Sequence, residues 1–110
     1  MSKDYNKSVW SSKDARQLAR TLAKISEPKE VEKFLADLMT AKELEEISSR
    51  LKAAALLDQG VTYTEIVKST GLSSRTVARI SDWIKNGNQG YELALKLLGS
   101  HHHLRPDRAG

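Results

Sequence analysis

Apolar residues recur along this chain at helical spacing and almost nowhere at strand spacing. From Ser11, "SSKDARQLARTLAKI" places Ala15, Leu18, Ala19, Leu22 and Ile25 on one helical face, with Ser11 and Asp14 at capping-box spacing. The next stretch, "SEPKEVEKFLADLM", opens with Ser26, carries Pro28 where a first helical turn tolerates it, and aligns Val31, Phe34, Leu35 and Leu38 in one stripe. Thr40 and Glu43 form the clearest capping box in the chain, and the helix they start, "TAKELEEISSRLKAAALLDQG", meets no Pro or Gly before Gly60. It should be the longest. The pattern resumes at Ile66 and Val67, halts at Gly71, resumes at Val77, Ile80 and Ile84, and breaks at Asn86, Gly87 and Gly90. A short last helix follows, with Tyr91, Leu93, Ala94, Leu97 and Leu98. These signals predict an all-α fold of six helices over residues 11–98, forming a single domain. Residues 1–10 read as a flexible arm that only Tyr5, Val9 and Trp10 could anchor, and residues 99–110 as a disordered tail.

Composition narrows the class. A chain of 110 residues with 39% apolar and 5% aromatic residues builds its core from Leu, Ile, Val and Ala. At that size a monomer buries roughly 60 to 70% of its unfolded surface, so a second copy would add useful burial. Cysteine is absent, which rules out disulfides and thiolate metal sites and fits a reducing compartment. The start, "MSKDYNKSVW", has no apolar leader core, and no apolar run approaches the roughly 20 residues of a membrane span, so a cytoplasmic location is expected. The net charge of +4 favours a polyanionic partner, but only modestly.

Residues from Tyr63 to Trp83 carry the functional signal. A helix-turn-helix needs a short first helix, a tight turn and a second helix whose inner face packs on the first while its outer face stays free. Ile66, Val67, Leu72, Val77 and Ile80 can form the shared core, with Gly71 at the turn, so the motif spans about 63–84. The outer positions Ser73, Ser74, Arg75, Ala78 and Arg79 are small, polar or basic. Short side chains let a helix approach base edges, hydroxyls can bond phosphates or bases, and arginine can bond a guanine bidentately. The same spacing suits two packed helices joined by a glycine turn with a solvated face. On these residues alone the two readings stand level.

From Leu38 to Leu98 the chain resembles the Trp repressor family, and in particular its YerC/YecD-type branch. The likeness rests on "LMT" before the long helix, on "SSRLKAAALLDQGVTYTEIVKSTGLSSRTVARI" with its spaced arginines, and on "NGNQGYELAL". It implies an intertwined homodimer, in which the N-terminal helices of each subunit wrap around the other, and a sequence-specific regulator of transcription that binds double-stranded DNA. Two recognition helices one DNA turn apart, roughly 34 Å, would then read a pseudo-palindrome. Ser74, Arg75 and Ala78 match positions that face base edges, and Thr76 matches a phosphate-contacting position. Tyr63, Thr64 and Lys68 are candidate phosphate contacts on the first motif helix, and Lys85 adds charge beyond the second.

The resemblance also raises the question of a tryptophan corepressor. In the family's tryptophan-binding member two arginines flank the indole, one of them also meeting the ligand's carboxylate, and a threonine at the start of the long helix lies near them. Arg50, Arg79 and Thr40 match those positions. The glycine that leaves room for the ring is Ile80 here, and a serine that helps hold the ligand is Trp83. Both changes add bulk, so the expectation is a self-filled, vestigial pocket and a recognition helix set without a small-molecule effector.

Other classes fit less well. No Gly-rich phosphate loop is present and no histidine lies outside the tail, which argues against an enzyme, and no cofactor is expected. Three adjacent histidines, His101 to His103, cannot all converge on one metal from a flexible tail. The alternatives that remain are a helical protein-interaction module and a DNA-binding subunit of a transposition or replication system.

Overall fold

The computed structural model describes residues 5–99, which form seven α-helices and no strand. The all-helical expectation is met. The chain divides into two compact units, residues 1–45 and 46–110, with the division falling inside the fourth helix.

The first unit contains α1 (Tyr5–Trp10), α2 (Lys13–Lys24), α3 (Pro28–Leu38) and the start of α4 (Ala41–Asp58). Where the sequence suggests a loose arm over residues 1–10, its described part is the short helix α1, which brings the total to seven helices, not six. This helix also moves the next cap by one residue. Ser11 is used in closing α1, its hydroxyl donating to the Ser8 carbonyl at 2.6 Å. Ser12 therefore takes the N-cap of α2, its Oγ accepting the N–H groups of Asp14 and Ala15 at 3.1 and 3.2 Å. In α3 the cap position is Glu27, not Ser26, with Pro28 in the first turn, where its missing N–H costs nothing. Neither α2 nor α3 buries a residue; Leu22, Ile25, Val31, Phe34 and Leu35 are half-buried.

The capping box of α4 forms as the sequence suggests. Glu43 N–H donates to Thr40 Oγ1 at 3.1 Å while Thr40 N–H donates to Glu43 Oε1 at 2.9 Å. The helix runs 18 residues and stops before Gly60, which adopts a left-handed φ of 84°.

The second unit holds the rest of α4 with α5 (Tyr63–Thr70), α6 (Ser74–Asn86) and α7 (Gly90–Leu97). Its core joins Ala53 and Ala54 of α4, Ile66 of α5, Val77 and Ile80 of α6 and Leu95 of α7, all fully buried except Leu95 at 6%. Two alanines in succession keep the α4 surface flat, which lets the β-branched residues of α5 and α6 approach it closely. Val61, Val67, Leu72, Trp83, Ile84 and Tyr91 pack around the edge. The tail and its histidines, 100–110, lie outside the described residues.

Gly71 and Gln89, besides Gly60, are left-handed, for different reasons. Gly71, at φ 78°, ends α5, and a Cβ built there meets nothing within 4 Å, so any cost of a side chain is conformational. Gln89, at φ 69°, caps α7 without the freedom of glycine and without a side-chain cap bond. Gly71→Ala should therefore lower stability by about 1 to 2 kcal/mol, while Gln89→Gly should be neutral or stabilising by up to about 1 kcal/mol. Urea unfolding followed by circular dichroism checks both. Equal effects of the same sign would contradict the assignment.

Candidate nucleic-acid interface

The interface is built from α5, a three-residue turn and α6. Thr62 starts α5, its Oγ1 accepting the Glu65 N–H at 3.3 Å. Ile66 on the inner face is fully buried, and the N–H of Gly71 closes the helix on the Val67 carbonyl at 2.9 Å. Leu72 tucks its side chain against the core, and Ser73 begins the next helix. Its Oγ accepts the Thr76 N–H at 3.1 Å and donates to Thr76 Oγ1 at the same distance. The Ser73 hydroxyl is thus used in fixing the start of α6, where Thr76 Oγ1 only accepts; Ser73 is exposed and Thr76 half-buried.

Burial then sorts α6 into two faces. Val77 and Ile80 point into the core, with Trp83 and Ile84 partly covered beside them. Ser74, Arg75, Ala78 and Arg79 are all exposed, in the arrangement the sequence suggests. Tyr63, Thr64 and Lys68 on α5 and Lys85 beyond the middle of α6 are exposed too. No ion pair involves Arg75, Arg79, Lys68 or Lys85 among the described residues. Cations left without carboxylates keep their attraction for an external polyanion, and small neighbours such as Ser74 and Ala78 let a duplex come close. Two carboxylates moderate this surface, Glu65 in the first turn of α5 and Asp82, whose Oδ1 accepts from Asn86 Nδ2 at 2.9 Å.

The residues matched to a tryptophan pocket have other occupations. Thr40 is committed to the capping box of α4. Arg50 Nη2 donates to Glu46 Oε2 at 2.9 Å, one helical turn back, and its charge also reaches Tyr91. Burial pushes the Tyr91 phenol above its ordinary pKa, and the guanidinium partly offsets that shift. Ile80 is fully buried as a core residue, and Trp83 packs half-buried against the same cluster. Of this group Thr40 and Arg79 are exposed, and Arg79 has no carboxylate partner among the described residues. No cluster of His, Asp or Glu is arranged to hold a metal among the described residues.

Sequence reasoning passed over three contributors. Thr62 was detectable, because Thr62 and Glu65 stand at capping-box spacing. Asp82 was visible on the outward face, three residues beyond Arg79. Thr70, whose hydroxyl bonds both to α5 and to the turn, carries no local pattern that separates it from any other threonine near a helix end.

Residues 13–98 match the family model described as Trp repressor protein. The chain is 34% identical over 83 residues to the uncharacterized protein YerC of Bacillus subtilis (strain 168), covering 76% of this chain and 80% of YerC. Among solved structures it is similar to a TrpR like protein from Eubacterium eligens ATCC 27750, with a TM-score of 0.75 and 28% identity over 80% of this chain and 91% of that one.

If Ile80 is a core residue and not the wall of a vacant ligand site, Ile80→Ala should cost about 2 to 5 kcal/mol of unfolding free energy. Chemical denaturation measures it. A loss under about 1 kcal/mol would mean that the side chain fills no essential space.

Proposed function

The chain belongs to the Trp repressor family, and on that premise we propose that it is a sequence-specific DNA-binding regulator of transcription, a repressor that binds a pseudo-palindromic operator as an intertwined homodimer without tryptophan as corepressor. The observation that carries this reading is the division of α6 into a fully buried inner face and an outer face of Ser74, Arg75, Ala78 and Arg79 that is exposed and free of carboxylate partners. An α-helix about 10 to 12 Å across fits a major groove about 12 Å wide, so such a face can reach base edges. Arg75 serves base readout. Tyr63, Thr64, Lys68 and Thr76 serve phosphate contact, and Arg79, unpaired and exposed, joins them. No helix of the described residues is long and apolar enough to cross a membrane, and the reading places the protein with the DNA in the cytoplasm.

Dimerisation is supported by apolar surface that one copy leaves uncovered. Leu18 and Leu38 are exposed in the first unit, and Ile47 is 52%, Leu93 61% and Leu97 80% exposed in the second. Together with helices α2 and α3, which bury no residue fully, these residues suit a two-fold partner. Independence from tryptophan is supported by the complete burial of Ile80 and by the pairing of Arg50 with Glu46.

Binding to duplex DNA tests the reading. Affinity for a duplex selected from a random pool should fall steeply with salt, and millimolar L-tryptophan should leave it within about twofold. Arg75→Ala should lose about 1 to 3 kcal/mol on the selected duplex and relax preference at one base pair, whereas Lys68→Ala should weaken all duplexes alike and shallow the salt slope. Absence of binding at low salt would favour the protein-interaction reading, and a tenfold gain with tryptophan would mean that the pocket is open.

Assembly is tested separately by size-exclusion chromatography with light scattering. The wild-type chain should run as a dimer, and Leu22→Asp and Phe34→Asp should each abolish the soluble dimer, since an unpaired carboxylate in an apolar interface costs several kcal/mol. A well-folded wild-type monomer would refute the intertwined architecture.

A further inference from the structure

The turn between α5 and α6 sets the direction in which the exposed face of α6 points, and it is built around a residue with little rigidity of its own. Gly71 occupies the left-handed region at φ 78° with nothing within 4 Å of where a Cβ would stand. Neither sterics nor a side chain at that position restrains the backbone. The Gly71 N–H holds it on the α5 side through the Val67 carbonyl, and restraint toward α6 must come from the groups on either side.

One side chain provides it from both directions. Thr70 Oγ1 donates to the Ile66 carbonyl at 2.7 Å, and the same oxygen accepts the Leu72 N–H at 3.2 Å. The first bond grips the last turn of α5 at the residue whose side chain lies fully buried among Val77 and Ile80 of α6. The second grips the chain after the glycine, where the Leu72 amide precedes the first helical turn of α6. Both bonds are half-buried, so neither is readily exchanged for water. The caps at Thr62 and Ser73 differ in kind: each acts within the helix it starts. Thr70 ties α5 to the turn across the glycine.

We propose that Thr70 is a positioning residue for DNA recognition, whose hydroxyl latches the Gly71 turn and so fixes the angle at which α6 presents Arg75 and its neighbours to base edges. The inference rests on the DNA-binding reading above and goes beyond it, because Thr70 is half-buried and touches no duplex on that reading. Bidentate base contacts demand alignment, while phosphate contacts along a uniformly charged backbone tolerate a small rotation. Loosening the latch therefore weakens selective binding more than general binding.

The test compares Thr70→Val, which keeps the shape and removes the hydroxyl, with Thr70→Ser, which keeps the hydroxyl. Each is measured against wild type on the selected duplex and on random duplex, at a temperature where circular dichroism shows every variant folded. Thr70→Val should lose about tenfold in affinity for the selected duplex and less than about twofold for random duplex, with an unchanged salt slope, and Thr70→Ser should restore selectivity to within about threefold of wild type. Equal binding by wild type and Thr70→Val overturns the proposal. So does an equal loss on both duplexes with a shallower salt slope, which would make Thr70 a phosphate contact. Failure of wild type to bind any duplex overturns the DNA reading itself and this inference with it. Hydrogen exchange on the wild-type chain needs no variant: the Leu72 amide should be protected at least about tenfold over a free amide, and an unprotected amide means that the latch does not exist.

Discussion

The burial of Ile66, Val77 and Ile80 against Ala53 and Ala54 is the constraint on which the rest of the second unit depends. Three β-branched side chains removed completely from water contribute roughly 1.5 to 3 kcal/mol each, a large share of the net stability of a small domain. To gain it, α6 must turn one fixed face inward. Helical geometry then leaves Arg75, Ala78 and Arg79 no choice but to point outward, because a residue two positions from Val77 or one from Ile80 lies well around the cylinder. The candidate interface is thus a by-product of the core. Its residues are free to serve a ligand because the residues between them hold the helix in place.

This coupling explains which parts of the molecule were legible in the sequence. The outer face of α6 could be read directly, since a period of 3.6 separates Arg75, Ala78 and Arg79 from Val77 and Ile80 without knowledge of any partner helix, and Ser74 stands at the open first turn. Helix ends marked by short-range chemistry were equally readable: the Thr40 and Glu43 box, the stop at Gly60 and the turn at Gly71. The failures share a cause. Helix α1 has too few residues to hold itself and is tied to α2, where Arg16 Nη1 donates to the Trp10 carbonyl at 2.8 Å. With α1 present, Ser11 is occupied and Ser12 caps. Gln89 in a left-handed conformation and Thr70 across the turn also depend on where other segments run. Propensity speaks for single elements, and these features belong to pairs.

The two units differ in how much of their own apolar surface they satisfy. In the second unit each of α4, α5, α6 and α7 contributes at least one buried residue to the core. In the first, α2 and α3 keep well-formed apolar stripes and bury no residue fully. Helices of 12 and 11 residues are marginal in water without packing, because isolated helices under about 12 to 15 residues seldom persist. Exposed charge pairs such as Lys29 with Glu32 and Lys33 with Glu30 are worth well under about 1 kcal/mol and do not alter that balance. A sequence that specifies such stripes specifies something to cover them, and the proposed two-fold partner does so with no new chemistry.

The two arginines matched to the family's ligand site pose the same question of magnitude. Arg50 is paired with Glu46 and Arg79 is not, so it is tempting to assign the exclusion of tryptophan to the ion pair. The pair is too weak for that. An i, i+4 carboxylate and guanidinium at a half-exposed site contribute roughly 0.3 to 0.5 kcal/mol, which a ligand carboxylate could readily displace. Ile80 presents a larger obstacle. Moving a fully buried isoleucine aside forfeits its hydrophobic contribution and strains its neighbours, at a combined cost of several kcal/mol. On the reading proposed above, then, the ligand is kept out by packing and not by the ion pair. Arg79 lies next to Ile80 in sequence but on the opposite side of that packing boundary, so on the proposed reading one helix both fills the ligand position and offers a cation to DNA.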